Sequence, residues 1–375
     1  MKILKLICGF ICLAIVAANL WTMSRWSERR GVADDLCYLR QAHLFQQHGG
    51  RGIDTDIKTE TDGYFRRLVT EIGQPGWHDD SQSVCHIDMA KTGKRVLQYP
   101  PGTGALLALF PEGHQVVPLY TAANVVVLLM AWAAIALARS RATALTAACF
   151  GWAALYLMIN PAKASYSIAP TMAICAIVGY LTARMVAVPH RHRWLYAAAI
   201  GILLGLSVNF RLPNALLCIG YGVFLLAMFL VRRDRASFAD GAVFGLGVVA
   251  SMLPTLIYNA INAGSPFTTT YGGQDVGPPD FTFSITRAYL GDVQGALIVA
   301  AIAAVIALFV MRRTRALWPI AAIVALNLVV DLGYFLSHPI FTQYYLIPLA
   351  MLSLWSLLFG CVLHDRQCDF VEVGP

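Results

Sequence analysis

The chain has 375 residues, of which 58% are hydrophobic and 13% charged, with a mean hydropathy of +0.61. So little charge excludes a water-soluble globular domain and predicts an all-α polytopic membrane protein. The formal charge of +7 implies no nucleic-acid partner, because much of it sits in short loops that set membrane orientation.

The first apolar run, residues 3–21, is close to the roughly 20 helical residues that cross a hydrocarbon core. It shares a basic start and the small pair Ala17-Ala18 with secretory signals, but it outruns a usual signal core and is read as a retained helix. Asp34 and Asp35 follow, opening a stretch in which Tyr38, Ala42 and Phe45 recur at helical spacing. That pattern predicts a helix lying on the membrane surface with two acids at its start. Adjacent carboxylates there point to catalysis on a lipid-borne substrate. The same acids suit a helix N-terminus, and the two roles are compatible.

Residues 22–115 are too long to be a mere connection and form an outer segment with short juxtamembrane helices. Gly49-Gly50-Arg51-Gly52 and Gly73-Gln74-Pro75-Gly76 read as turns. Cys37 and Cys85 both fall in this segment, and a disulfide between them is left open; the other seven cysteines read as small apolar residues. His78, Asp79, Asp80, Cys85, His86 and Asp88 are metal-ligand types without zinc-site spacing, and a solvated loop is the preferred reading. Tyr99-Pro100-Pro101-Gly102 is a rigid turn that feeds a short apolar helix over 105–110, expected in the outer interface.

Nine further apolar runs follow at 116–138, 142–158, 167–188, 194–210, 212–231, 238–261, 291–311, 317–337 and 344–363, for about ten transmembrane helices. The chain thus divides into a first helix (1–21), an outer loop (22–115), a nine-helix region (116–363) and a tail (364–375). Under strict alternation Lys2, Lys5, Arg139, Arg141, Arg191, Arg193, Arg232, Arg233, Arg235, Arg312, Arg313, Arg315 and Arg366 all fall on one side. The positive-inside bias makes that side cytoplasmic and predicts both termini inside. The other side keeps only Lys163, Arg211 and Arg287 in its short connections. Asp331 lies within the ninth run, where an ionisable residue is costly and marks either a functional site or a helix pair. Tyr344, Tyr345, His338 and Gln343 read as ordinary interface residues, with the lining of a donor groove as the alternative.

In order along the chain, the acidic pair after the first span, Tyr99-Pro100-Pro101-Gly102, Arg211-Leu212-Pro213, and Tyr258-Asn259 leading to Gly264-Ser265-Pro266-Phe267 and Tyr271 resemble the GT-C superfamily. Its members are integral-membrane glycosyltransferases fed by polyprenyl-phosphate sugars, among them the protein O-mannosyltransferases and lipid A aminoarabinose transferases. The resemblance covers roughly the first 275 residues. It implies Asp34 as catalytic base, since an attacking hydroxyl must lose a proton, with Asp35 orienting Asp34 or the acceptor. Leaving phosphate demands positive charge, for which Arg211 is the first candidate; Lys163 and then Arg287 come next, and snorkelling to head groups is the alternative for each. Tyr99, Tyr271 and Asp331 complete the donor-binding candidates. Relatives carry a second acid in the next outer loop. Here residues 160–165 have none: either another acid, Asp88 or Asp292, substitutes, or the enzyme is divergent, or the fold is retained without the reaction.

The resemblance implies a polyprenyl-phosphate sugar as donor, a lipid, glycan or protein hydroxyl as acceptor, and a periplasmic active site in the bacterial inner membrane. It implies no fixed cofactor, since some relatives need a divalent cation and others do not. Two other readings stand beside it. A transporter or flippase for a lipid-linked or small solute suits ten spans with an intramembrane acid, Asp331 in the outward half of the ninth, and Gly- and Pro-interrupted helices that can make a midplane site, although no internal repeat supports it. A non-catalytic scaffold would leave Asp34 dispensable.

Overall fold

The computed structural model describes residues 1–26, 33–72, 85–158, 164–189, 192–271, 279–280, 283–338 and 341–372. Its long helices are α1 (Lys2–Met23), α5 (Val116–Leu137), α6 (Arg141–Met158), α7 (Ile168–Ala187), α8 (Arg193–Val208), α9 (Ala215–Arg232), α10 (Arg235–Ala263), α12 (Val293–Val310), α13 (Trp318–Ser337) and α14 (Ile347–Glu372). Shorter elements are α2 (Ala33–His48), α3 (Tyr64–Ile72), α4 (Gly102–Leu107), α11 (Phe283–Leu290) and an antiparallel hairpin, β1 (His86–Met89) with β2 (Lys94–Leu97). The hairpin departs from the purely helical expectation; Gly93, at φ +65°, makes its turn.

Eight of these helices, α1, α5, α7, α9, α10, α12, α13 and α14, are long and apolar enough to cross a membrane, with α8 a shorter apolar helix. The chain is therefore a nearly all-α integral membrane protein. Local chemistry sets several helix ends. Asp234 caps α10 by accepting from Ser237 N–H at 2.7 Å, and Asp292 caps α12 by accepting from Gln294 N–H at 3.0 Å. Gly264, at φ +78°, closes α10 in the left-handed conformation that glycine tolerates best.

Contacts between helix ends sort the bundle into two layers. In one, the Trp26 indole after α1 donates to Tyr166 O–H ahead of α7 at 3.2 Å, and Tyr120 near the start of α5 donates to Ala164 O at 3.0 Å. The Asn19 amide near the end of α1 donates to Leu155 O near the end of α6 at 2.8 Å. In the same layer Gly102 N–H donates to Asn209 O after α8 at 2.7 Å, Lys94 reaches Ile261 O in α10 at 3.2 Å, and Gln294 in α12 reaches Thr342 O after α13 at 3.0 Å. In the other layer Lys5 of α1 donates to Ala136 O of α5 at 2.8 Å, and Thr143 of α6 donates to Asp365 of α14 at 2.9 Å. Arg184 of α7 reaches Tyr196 of α8 at 3.5 Å, Phe229 of α9 meets Phe238 of α10, and Trp318 of α13 donates to Leu308 O of α12 at 3.1 Å. By these contacts successive long helices run in alternate directions, and eight of them are long and apolar enough to cross a membrane.

The first layer is capped by the long segment between α1 and α5, and here two expectations need correction. α2 is buried along most of its length and does not lie as an amphipathic surface helix: Leu36, Tyr38, Leu39, Ala42 and Leu44 are all buried. Arg40 and His43 find partners inside the cap, as buried polar groups need, whereas the buried Gln41 amide has none among the described residues. Arg40, fully buried, donates to Glu60 at 2.9 Å and to Thr55 O at 3.1 Å; His43 stacks on Tyr64 between Asp62 and Glu112. The helix expected over 105–110 instead spans Gly102–Leu107 and packs on α2, so closely that a side chain at Gly104 would overlap Gln41. Cys37 in α2 and Cys85 before β1 are joined in a disulfide with Cα atoms 6.4 Å apart, inside the ordinary range.

Candidate functional site

Asp34 sits in the first turn of α2, where the helix macrodipole favours a negative charge. Tyr99 O–H donates to its Oδ1 at 2.6 Å and Tyr344 O–H to its Oδ2 at 3.1 Å. Each carboxylate oxygen is thereby aimed by a different part of the chain, one from the cap and one from the turn before α14. Burial, followed by the Asp34 charge, pushes both phenols far above their ordinary range. They therefore remain protonated donors at any physiological pH.

The Tyr99 position follows from the motif around it. Pro100 and Pro101 stiffen the chain, and Gly102 packs so tightly that a side chain there would stand 2.6 Å from Asn209 O. Thr103 adds a contact to Phe210 O at 3.4 Å. The Pro-Pro-Gly turn is thus clamped to the residues that precede Arg211. On its other side Gln98 N–H donates to Cys85 O at 2.9 Å, and Cys37, Cys85 and Leu97 form a small buried cluster against Tyr99. The disulfide therefore ties α2, which carries Asp34, to the strand end that carries its donor.

Arg211 stands between α8 and α9 with extended backbone, and only 5% of it is exposed. Its guanidinium carbon lies 5.4 Å from the Tyr344 ring and 5.2 Å from the Tyr345 ring, in cation–π range. Among the described residues no acceptor takes a hydrogen bond from its side chain. A buried guanidinium with five donors and no anion is suited to an anionic ligand. Tyr344 and Tyr345 are held by Gln294, fully buried, whose amide donates to Thr342 O at 3.0 Å and accepts from Leu346 N–H at 2.8 Å.

Beside Arg211 opens a cavity of about 190 Å³ whose walls include Leu212, Pro213, Leu216, Tyr271, Phe335 and Tyr345. Tyr271 also meets Tyr99 edge-on at 5.8 Å, and Tyr38 packs on Tyr99 at 5.2 Å. The order across the site is a carboxylate between two phenols, an aromatic wall, an unpaired cation and an apolar cavity.

Of the residues expected from sequence, the structure gathers Asp34, Tyr99, Tyr271 and Arg211. Asp35 is fully buried, and its Oδ1 accepts from Tyr166 N–H at 2.8 Å, which ties the start of α2 to the start of α7. Asp331 is buried within α13, with Oδ2 lacking a hydrogen-bond partner among the described residues, and no hydrogen bond joins it to Asp34, Tyr99 or Arg211. Arg287 is exposed on α11. Lys163, His78, Asp79 and Asp80 lie outside the described residues. Asp88 pairs with Arg95 at 2.8 Å, and Asp292 serves as a helix cap. Among the described residues no group of three His, Cys, Asp or Glu side chains is placed to hold a metal ion.

Tyr344, read from sequence as an interface aromatic, is a direct partner of Asp34, and Gln294 went unnoticed. A paired tyrosine after Thr342-Gln343 at a helix start was the available signal; for Gln294 there was none. Compared with known proteins, the chain matches no family model and no curated sequence.

Proposed function

We propose that the protein is a GT-C-like glycosyltransferase that moves a sugar from a polyprenyl-phosphate donor to a hydroxyl acceptor. The observation that carries this reading is one aromatic wall, Tyr344 with Tyr345, shared by a hydrogen-bonded carboxylate and a buried arginine that is unpaired among the described residues, with Tyr345 also lining an apolar cavity. A lipid-linked phosphosugar needs those three features together.

In this reading the acceptor hydroxyl gives its proton to Asp34 as its oxygen bonds to the anomeric carbon. The bond from that carbon to the phosphate oxygen breaks, and its electron pair leaves with the polyprenyl phosphate. Arg211 offsets the negative charge that develops on the departing oxygen. Tyr99 and Tyr344 fix the direction of the Asp34 lone pairs, and Asp35 fixes the helix. The activated donor supplies the driving force, so no nucleotide is required. EDTA treatment tests whether a divalent cation adds to Arg211.

We assign the Asp34 layer to the periplasmic face of a bacterial inner membrane. The opposite layer holds the helix ends where the arginine-rich loops fall, and ten spans then leave both termini in the cytoplasm. A second reading, transport of a lipid-linked or small solute, draws on one observation: the carboxylate of Asp331, buried within α13.

Purified protein with a short-chain polyprenyl-phosphate sugar separates the two. The enzyme releases polyprenyl phosphate, and Arg211→Ala weakens both donor binding and release. A transporter in proteoliposomes takes up solute, releases none, and depends on Asp331.

A further inference from the structure

At the layer opposite the Asp34 site, the start of α1 and the end of α5 enclose a groove of about 590 Å³. Leu6, Phe10 and Leu13 from α1 and Trp132 and Ile135 from α5 give it an apolar lining, and Lys2 and Lys5 stand at one end. Two contacts shape it. Trp132 donates its indole N–H to Gly9 O at 3.0 Å, which holds that ring against α1. Lys5 donates to Ala136 O at 2.8 Å across the two helices, which places its ammonium at the groove end.

We propose that this groove binds an anionic phospholipid of the adjoining leaflet, with an acyl chain along Leu6, Phe10 and Leu13 and its phosphate against Lys2 and Lys5. Charge complementarity selects the occupant. Among the described residues no acidic side chain lines the groove, and its only charged lining residues are the two lysines. An ammonium has three donors, so Lys5 can reach a phosphate while keeping its carbonyl contact. A soluble phosphate would leave the apolar length uncovered, whereas a zwitterionic lipid would present its own cation to the lysines. Basic pockets between helices at the cytoplasmic surface are a recurrent means of selecting anionic head groups. The groove lies on the far side of the bundle from Asp34, and the inference stands apart from the proposed reaction.

Native mass spectrometry of the full-length protein, titrated with phosphatidylglycerol or phosphatidylcholine of the same chains, tests it. Phosphatidylglycerol is expected to be retained roughly tenfold better. Lys2→Gln with Lys5→Gln should remove that preference, and Ala136→Phe, which fills the groove, should weaken retention of both lipids. Lys2→Gln alone, at an exposed position, should lower the preference in part and keeps the test open if Lys5→Gln disturbs the Ala136 contact. Equal retention of the two lipids by wild type, or an undiminished preference in the double variant, overturns the proposal. Displacement by glycerol phosphate as effective as by the intact lipid overturns it too, in favour of a soluble-phosphate site.

Discussion

Tyr344 donates its hydroxyl to Asp34 at 3.1 Å while its ring lies 5.4 Å from the Arg211 guanidinium. One side chain thereby fixes the spacing between the carboxylate and the cation, two groups that originate 177 residues apart in sequence (211 minus 34).

Removing either phenolic hydroxyl should disorient Asp34 without removing it. A hydrogen bond to a charged acceptor contributes about 1.5–3 kcal/mol, so Tyr99→Phe and Tyr344→Phe are each expected to slow turnover by roughly tenfold or more. KM for the donor should stay close to wild type for Tyr99→Phe, which lies farther from Arg211. Steady-state kinetics on the purified variants reads both numbers. Unchanged kcat in both would remove the phenols from the mechanism.

The Cys37–Cys85 bond spans 48 residues, and closing a loop of that length stabilises the cap by about 4 kcal/mol on the chain-entropy estimate. Cys37→Ser with Cys85→Ser should lower the thermal midpoint and loosen Tyr99 from Asp34, with activity falling alongside. Mass analysis under non-reducing conditions, together with a melting curve, checks the bond and its effect.

Asp62 accepts from Tyr64 N–H at 3.2 Å and lies 3.0 Å from His43. Burial opposes its ionisation, but the Tyr64 N–H, His43 and Gln47 outweigh it and hold the carboxyl below its ordinary 3.8. A depressed carboxyl stabilises the fold fully above its unfolded value and loses that contribution as pH falls through the folded one. The stability gap between wild type and Asp62→Asn should therefore narrow as pH falls below 3.8 and vanish once the folded carboxyl is protonated. Thermal unfolding of the two proteins across that range measures it.

A reporter fused after Pro375, or placed between α9 and α10, should report cytoplasm, and one near Gly50 the opposite face. An outward C-terminus, with the ten-helix bundle kept, would place the Asp34 layer on the cytoplasmic side, the wrong side for a periplasmic donor.

Much of the helical plan could be read from the chain because lipid-facing helices must be apolar over a fixed length, and each long helix overlaps an apolar run, though α14 continues past its run to Glu372. The cap was harder to read. Burial of α2 depends on long-range partners such as Glu60 for Arg40 and Asp62 for His43, and no local periodicity records them. Asp34 and Arg211 stood out as rare charges at one membrane face. Tyr344 did not, because a tyrosine at a helix start is common there and only the fold shows that it reaches Asp34.

The most direct test of the glycosyltransferase reading is release of polyprenyl phosphate by wild type and Asp34→Asn from a short-chain lipid-phosphate sugar with a panel of hydroxyl acceptors. The substitution keeps the size of the side chain and one oxygen that can accept from a phenol, turns the other acceptor into an amide N–H donor, and removes the carboxylate base. Wild type should release polyprenyl phosphate with matched transfer to an acceptor, and Asp34→Asn should do so on the order of 10²–10⁴-fold more slowly at equal expression and thermal stability. Equal rates in the two proteins would contradict the assignment of Asp34, and no release by wild type from any donor in the panel would contradict the reading as a whole.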